Sequence, residues 1–181
     1  MRRTLNEFLE GVVSEGGSGA TDVATLISAG ESDRLEFKET ARQNVRTGQV
    51  DKEIQRAVVK TVAGSSNSQG GTLIVGVNDA DLPVGLDRDL ATLGSRPNVD
   101  GYEQALRTLL SNAIGKDWCA QVAITFPVVD GVQVCMMRVP AAAKPVYASD
   151  GASQQFFVRS GNTTQSLNLQ EAYAYCEARF R

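Results

Sequence analysis

The chain has 181 residues, 42% hydrophobic and 22% charged, which suits one packed domain and is too short for two comfortable ones. Its net charge is −3 and it has no histidine, which excludes histidine general bases, Ser-His-Asp and Cys-His nucleophile systems and HExxH zinc sites. No apolar run approaches the roughly 18 residues of a membrane span, and the Met1–Glu7 text turns acidic where a secretory leader would turn apolar. Cys119, Cys135 and Cys176 lack CxxC spacing and read as the reduced thiols of a cytoplasmic protein.

Thr4 and Glu7 have capping-box spacing, and Leu5, Phe8, Leu9 and Val12 recur at helical spacing, so residues 1–21 read as a helical lead-in. A second helix is expected over Asp22–Ala29, with Gly30 as its left-handed cap. Arg34–Lys38 alternates strictly: Leu35 and Phe37 take one strand face, Arg34, Glu36 and Lys38 the other. After a loop over 40–50, Asp51–Ala63 is an amphipathic helix with Ile54, Ala57, Val58, Thr61 and Val62 toward the core. Lys52, Arg56 and Lys60 line up on it as a basic stripe.

Gly70-Gly71 reads as a tight turn into the buried strand Thr72–Val77, and Gly76 marks a bulge or a close backbone approach. Val84-Gly85-Leu86 is expected to be the return strand of a hairpin. Asp100 and Glu103 should start a helix carrying Tyr102, Leu106, Leu109 and Leu110. Cys119–Val128 and Val132–Val139, joined around Asp130-Gly131, give the strongest hairpin signal. Gln154–Arg159 is a further strand, and Asn168 with Glu171 caps a last helix over Leu169–Phe180. Val122, Ile124 and Phe126 should face the same core as Leu73, Val75 and Val77. The pattern gives hairpins rather than regular βαβ crossovers, so the fold class is α+β: a mostly antiparallel mixed sheet packed against helices, in one domain over 22–181.

The charge is unevenly placed. Residues 31–60 carry seven Lys/Arg against six Asp/Glu, whereas residues 61–100 carry two against five. If the strands bearing them are neighbours, Glu31, Glu36 and Asp79 converge at a sheet end. Three carboxylates without histidine suit Mg2+ or Mn2+ activating water at a phosphodiester; the alternative is three solvated acids. The stripe Lys52, Arg56 and Lys60, with Lys38, Arg42 and Arg46 nearby, can follow a phosphate backbone or form the wet side of its helix. Arg159–Thr164 combines an arginine at a strand end with residues tolerant of positive φ, as an anion nest or a plain turn does. Trp118 and Tyr147 suit either core packing or base stacking.

Gly30-Glu31-Ser32, Leu35-Glu36-Phe37-Lys38 and the run Asn67–Asp79 together resemble the Schlafen AlbA-like domain. Pro83–Leu86, Lys144–Tyr147, Phe157–Thr164 and the helix over Leu167–Tyr175 extend the resemblance from about residue 22 to the C-terminus. The resemblance implies a nucleic-acid-binding domain that is a metal-dependent endoribonuclease acting on transfer RNA. Glu31, Glu36 and Asp79 would hold the metal, Lys38 would stabilise phosphate charge, and Lys52, Arg56, Lys60 and Arg159 would position the backbone. Animal members clamp RNA with two such lobes, so a single lobe implies a homodimer. The other expectation from the family is a non-catalytic DNA- or RNA-binding module of a regulatory or defence protein.

Overall fold

The computed structural model describes residues 18–181, with side chains from Val23 onward; the Thr4–Glu7 cap and the Leu5–Val12 stripe lie outside the described residues. Helix α1 spans Ser18–Ala29, four residues longer at its start than expected, and ends at Gly30 with φ 75°. Strand β1 (Leu35–Lys38), helix α2 (Lys52–Asn67) and strand β2 (Gly71–Val75) follow. β1 and β2 pair in parallel, Leu35 opposite Thr72 and Lys38 opposite Val75, so this stretch is a βαβ crossover, whereas the other strand pairs are antiparallel. Asp51 caps α2 by accepting from the Glu53 amide at 2.8 Å.

The chain continues through a one-turn helix α3 (Asp87–Leu90), the long helix α4 (Val99–Ile114) and a one-turn helix α5 (Lys116–Cys119). Short strands β3 (Ala123–Thr125), β4 (Val128–Val129), β5 (Val132–Gln133) and β6 (Cys135–Val139) come next. β6 lies antiparallel between β2 and β3, giving a four-stranded sheet in the order β1-β2-β6-β3. β7 (Ala148–Ser149), β8 (Gln154–Ser160) and β9 (Thr163–Leu167) form a separate antiparallel sheet. Helix α6 (Leu169–Arg179) closes the chain, with the Asn168/Glu171 capping box present in both directions.

The first sheet is covered on both faces. Helices α2 and α4 bury Val58, Val62, Tyr102, Leu106 and Leu110 against Leu73, Val75 and Met137. Helix α1 buries Val23 and Ile27 against Leu35, Phe37, Ile74 and Met136 on the opposite face. A third, smaller cluster, Phe156, Val158 and Ala172, joins the second sheet to α6. No described helix is long and apolar enough to cross a membrane. The α+β class with a mostly antiparallel mixed sheet is what the structure shows.

Several local expectations are corrected. Val122 and Ile124 share the core of Leu73 and Val75, with Phe126 packed against it, but Val77 belongs to the opposite face. Gly76 causes the change: its φ is 97°, and its amide and that of Val77 both donate to the Lys38 carbonyl, at 2.8 and 3.2 Å. That bulge shifts the side-chain alternation by one. Only glycine fits there, since a Cβ would lie 3.0 Å from the Gly85 carbonyl oxygen. Val84-Gly85-Leu86 is no strand. Val84 and Gly85 donate to the Gly76 carbonyl, a single bridge joins Val77 to Pro83, and Leu86 leads into α3. Asn98, not Asp100, caps α4, accepting from the Gly101 amide at 2.9 Å. The first arm of the central hairpin is shorter than expected because Cys119 ends α5; the turn itself forms as read, with positive φ at Asp130 and Gly131.

Candidate nucleic-acid interface

The acids expected to form a catalytic centre are placed very differently from one another. Glu36 lies on the β1 face opposite Leu35 and Phe37, and that face meets α2 rather than water. Its Oε1 accepts from Lys38 Nζ at 2.7 Å and from the Thr61 hydroxyl at 2.8 Å, while Oε2 pairs with the Arg159 guanidinium. Burial pushes the Glu36 carboxyl up, but the hydrogen bond and charge of Lys38, the Thr61 hydroxyl and the charge of Arg159 more than offset this. The group titrates below the usual carboxylate range. Glu31 is exposed and accepts from the Phe37 amide at 2.7 Å, tying the chain after α1 to the edge strand. Asp79 is exposed in the turn beyond β2, where the Asn78 side chain accepts from the amides of Ala80 and Leu82, both at 3.0 Å.

Arg159 is not a surface cation. Its side chain is 4% exposed and donates to the Ser32 carbonyl at 2.8 Å and the Asp33 carbonyl at 3.2 Å, besides pairing with Glu36. Its backbone amide is held by the Ser68 hydroxyl at 2.8 Å. The residues after it form a plain two-residue hairpin turn, Gly161 (φ 60°) and Asn162, between the Ser160–Thr163 pair. Arg159 therefore staples the second sheet to β1 and to the loop before it.

Both oxygens of Glu36 are occupied by cationic donors. Among the described residues, no group of three or more carboxylate or thiol side chains is gathered closely enough to hold a metal.

The basic stripe is placed as expected. Lys52, Arg56 and Lys60 are exposed along the first nine residues of α2, while Val58, Thr61 and Val62 are buried beneath them. Arg56 pairs with Glu53 at 2.7 Å and reaches Asp150 at 3.9 Å. Lys60 lies over the Phe157 ring of β8, 6.0 Å from its centroid. Lys38 is half-buried against Glu36, and Arg42 donates to the Thr92 hydroxyl at 2.9 Å; Arg46 is exposed in the loop ahead of the helix. Trp118 donates to the Ser66 hydroxyl at 2.7 Å and packs on the main core, so it is not available for stacking. Tyr147 is 46% exposed and packs against Phe156.

Two buried polar residues that organise these surfaces were not singled out from the sequence. Asp89, 1% exposed, accepts from the amides of Ala41 (2.6 Å), Arg42 (3.0 Å) and Gln43 (2.8 Å) and from the Tyr102 hydroxyl (2.6 Å). It fixes the loop that delivers Arg42. Burial, then the Asp89 charge, pushes the Tyr102 phenol well above its ordinary value. The signal was legible: Asp89 falls on the apolar stripe Leu86, Leu90 and Leu93. Asn67, at the end of α2, is fully buried; it donates to the carbonyls of Val146 (2.8 Å) and Phe157 (2.9 Å) and accepts from the Val146 amide (2.8 Å).

The fold and sequence can be set beside known proteins. Among solved structures, the DIP2311 protein from Corynebacterium diphtheriae superposes with a TM-score of 0.57 at 21% identity over 88% of this chain, which spans 32% of that protein. The N-terminal domain of an ATP-dependent DNA helicase RecG-related protein from Nitrosomonas europaea superposes with a TM-score of 0.51 at 23% identity, over 83% of this chain and 94% of that domain. At these identities the likeness is one of fold. No curated protein matches the sequence. The sequence profile of the family described as Schlafen, AlbA_2 matches residues 31–168, well over half of the chain, and the chain belongs to that family.

Proposed function

We propose that this domain binds nucleic acid by gripping the phosphate backbone with the exposed face of α2. The observation that supports this most is the stripe itself: three cations, Lys52, Arg56 and Lys60, stand exposed on one helix of a chain whose net charge is −3. Attraction for a polyanion is then local and directional. The acids beside Arg56 do not remove it from use, because exposed pairs of this kind contribute about 1 kcal/mol or less and exchange readily for phosphate. Membership of the Schlafen AlbA_2 family supports the same reading, as does the fold shared with the amino-terminal domain of a helicase-related protein.

Binding is favoured over cleavage. In the arrangement seen, Glu36 holds Arg159 and Lys38 in place and offers no free oxygen to an ion. Labelled transfer RNA incubated with the protein is expected to stay intact with manganese and with chelator alike. Manganese-dependent cleavage that disappears in Glu36→Gln would restore the endoribonuclease reading, with Glu31, Glu36 and Asp79 as its centre.

The test of binding uses fluorescence anisotropy with labelled transfer RNA, single-stranded DNA and duplex DNA. Arg56→Glu/Lys60→Glu should weaken binding to all three by at least tenfold while leaving the melting temperature in place. Unchanged affinity in that variant would contradict the proposed surface.

A further inference from the structure

A second polar surface lies beside the N-terminal half of α2, apart from the exposed Lys52, Arg56 and Lys60 stripe. It is an open groove of about 460 Å³ between α2, the 91–98 loop and the outer face of α4. Among the described residues, Arg42, Arg96, Gln55, Gln104, Ser95 and Asn112 line it, and no carboxylate does. Elsewhere Arg56, Arg88, Arg107, Arg159 and Arg181 each pair with an acid. The neighbouring groove across α4 differs: Asp100 and Glu103 line it, and Arg107 is bound to Glu103 at 2.7 Å.

The guanidiniums of both arginines in this groove are hydrogen-bonded to neutral side chains, which fix their direction. Arg42 donates through Nε to the Thr92 hydroxyl at 2.9 Å, its two terminal nitrogens have no partner among the described residues, and its backbone is anchored by buried Asp89. Arg96 donates through one terminal nitrogen to the Gln104 side chain at 3.0 Å. The loop carrying Arg96 lies directly on α4 because residue 101 is glycine; a Cβ there would collide with the Arg96 carbonyl. Partly buried Leu93 and Leu109 supply an apolar floor between the polar groups.

We infer that this groove binds the phosphate of a nucleotide. Two guanidiniums with free donors match phosphate oxygens in charge and fork geometry. The side-chain amides of Gln55, Gln104 and Asn112 offer hydrogen bonds to a sugar or a base edge, and the leucine floor offers a surface for the ring. The volume falls within the roughly 300–1,000 Å³ typical of small-ligand sites. The phosphate belongs either to a free mononucleotide or to a strand passing over the groove.

Two-dimensional NMR titrations of the full chain with AMP, adenosine, and a single-stranded oligonucleotide separate these sources. AMP, and not adenosine, is expected to shift the amides of residues 92–96 and 104–112. Arg42→Gln/Arg96→Gln should weaken that binding at least tenfold. Asn112→Asp should do the same, placing a carboxylate in the groove at an exposed position where folding is not at stake. Arg56→Glu/Lys60→Glu should leave AMP affinity unchanged, so failure of the groove and failure of the α2 stripe are read separately. If AMP is silent but the oligonucleotide shifts the same amides in the Arg56→Glu/Lys60→Glu background, the phosphate is the strand's and the site stands. Absence of shifts with either ligand, or shifts undiminished in folded Asn112→Asp, would overturn the site.

Discussion

Helix α2 has two halves with opposite uses of polarity. From Lys52 to Lys60 its outward face is exposed, and its cations meet water or loosely held acids. From Thr61 to Asn67 every residue is buried, four of the seven are polar (Thr61, Ser65, Ser66, Asn67), and all of these but Ser65 have named side-chain partners in β1, α5 or the second sheet. Small residues make this possible: Gly64 lets β9 approach so closely that a Cβ would lie 2.5 Å from the Thr164 methyl. Around that half Glu36 and Arg159 neutralise one another, and charge serves cohesion. Around the other half Lys52, Arg56, Lys60, Arg42 and Arg96 keep donors facing solvent, and charge is available to a ligand. A charged residue becomes a candidate site residue only once its partners are known.

The sharpest way to break the closed half is to charge its floor. Val75, fully buried in the centre of the first sheet, should cost about 4 kcal/mol or more as Val75→Asp, since an unpaired buried carboxylate has no compensating partner. Chemical denaturation measures it, and parent-like stability would contradict the placement of β2 in the core. Asn67→Ala is next, at about 3 kcal/mol, because it orphans the Val146 amide and two carbonyls in the interior. Glu36→Gln should cost about 2 kcal/mol: it leaves the Arg159 charge buried without its counter-ion, while the amide still serves Thr61.

The pH dependence of the same cluster has a definite sign. The folded-state pKa of Glu36 is lowered, so its contribution to stability is complete above the ordinary carboxylate range. It is lost as pH falls through the lowered value. Melting curves from about pH 6 down to about pH 3 should therefore fall more steeply for the parent than for Glu36→Gln. Parallel curves would show that Glu36 is not held as described. On the open half, Arg56→Glu/Lys60→Glu should change stability by less than about 0.5 kcal/mol, the usual range for surface substitutions.

This contrast also marks what the sequence could reveal. The α2 stripe, the β1 alternation, the Asp130-Gly131 turn and the Asn168/Glu171 box are set by spacing over a few residues, and each was legible. Glu36 was legible as a strand residue on the polar face, but alternation cannot say whether a polar face meets water or a polar partner. That partner, Arg159, lies more than a hundred residues away in another sheet. Arg159 looked like a phosphate ligand for the same reason. Val77 changed faces because Gly76 was recognised as a bulge without its consequence for parity. The parallel β1–β2 pair was missed because a loop over 40–50 lies between β1 and its crossover helix, hiding the βαβ pattern.

The most direct test of polyanion binding by a local face is the salt dependence of affinity. For labelled transfer RNA or DNA, log K should fall linearly with log salt concentration, with a slope of about −2 to −4, as contact with some three to five phosphates requires. In Arg56→Glu/Lys60→Glu the slope should shrink toward zero together with the affinity. A parent slope near zero, or a steep slope that the double substitution leaves untouched, would contradict the assignment of the exposed half of α2 as the surface that meets nucleic acid.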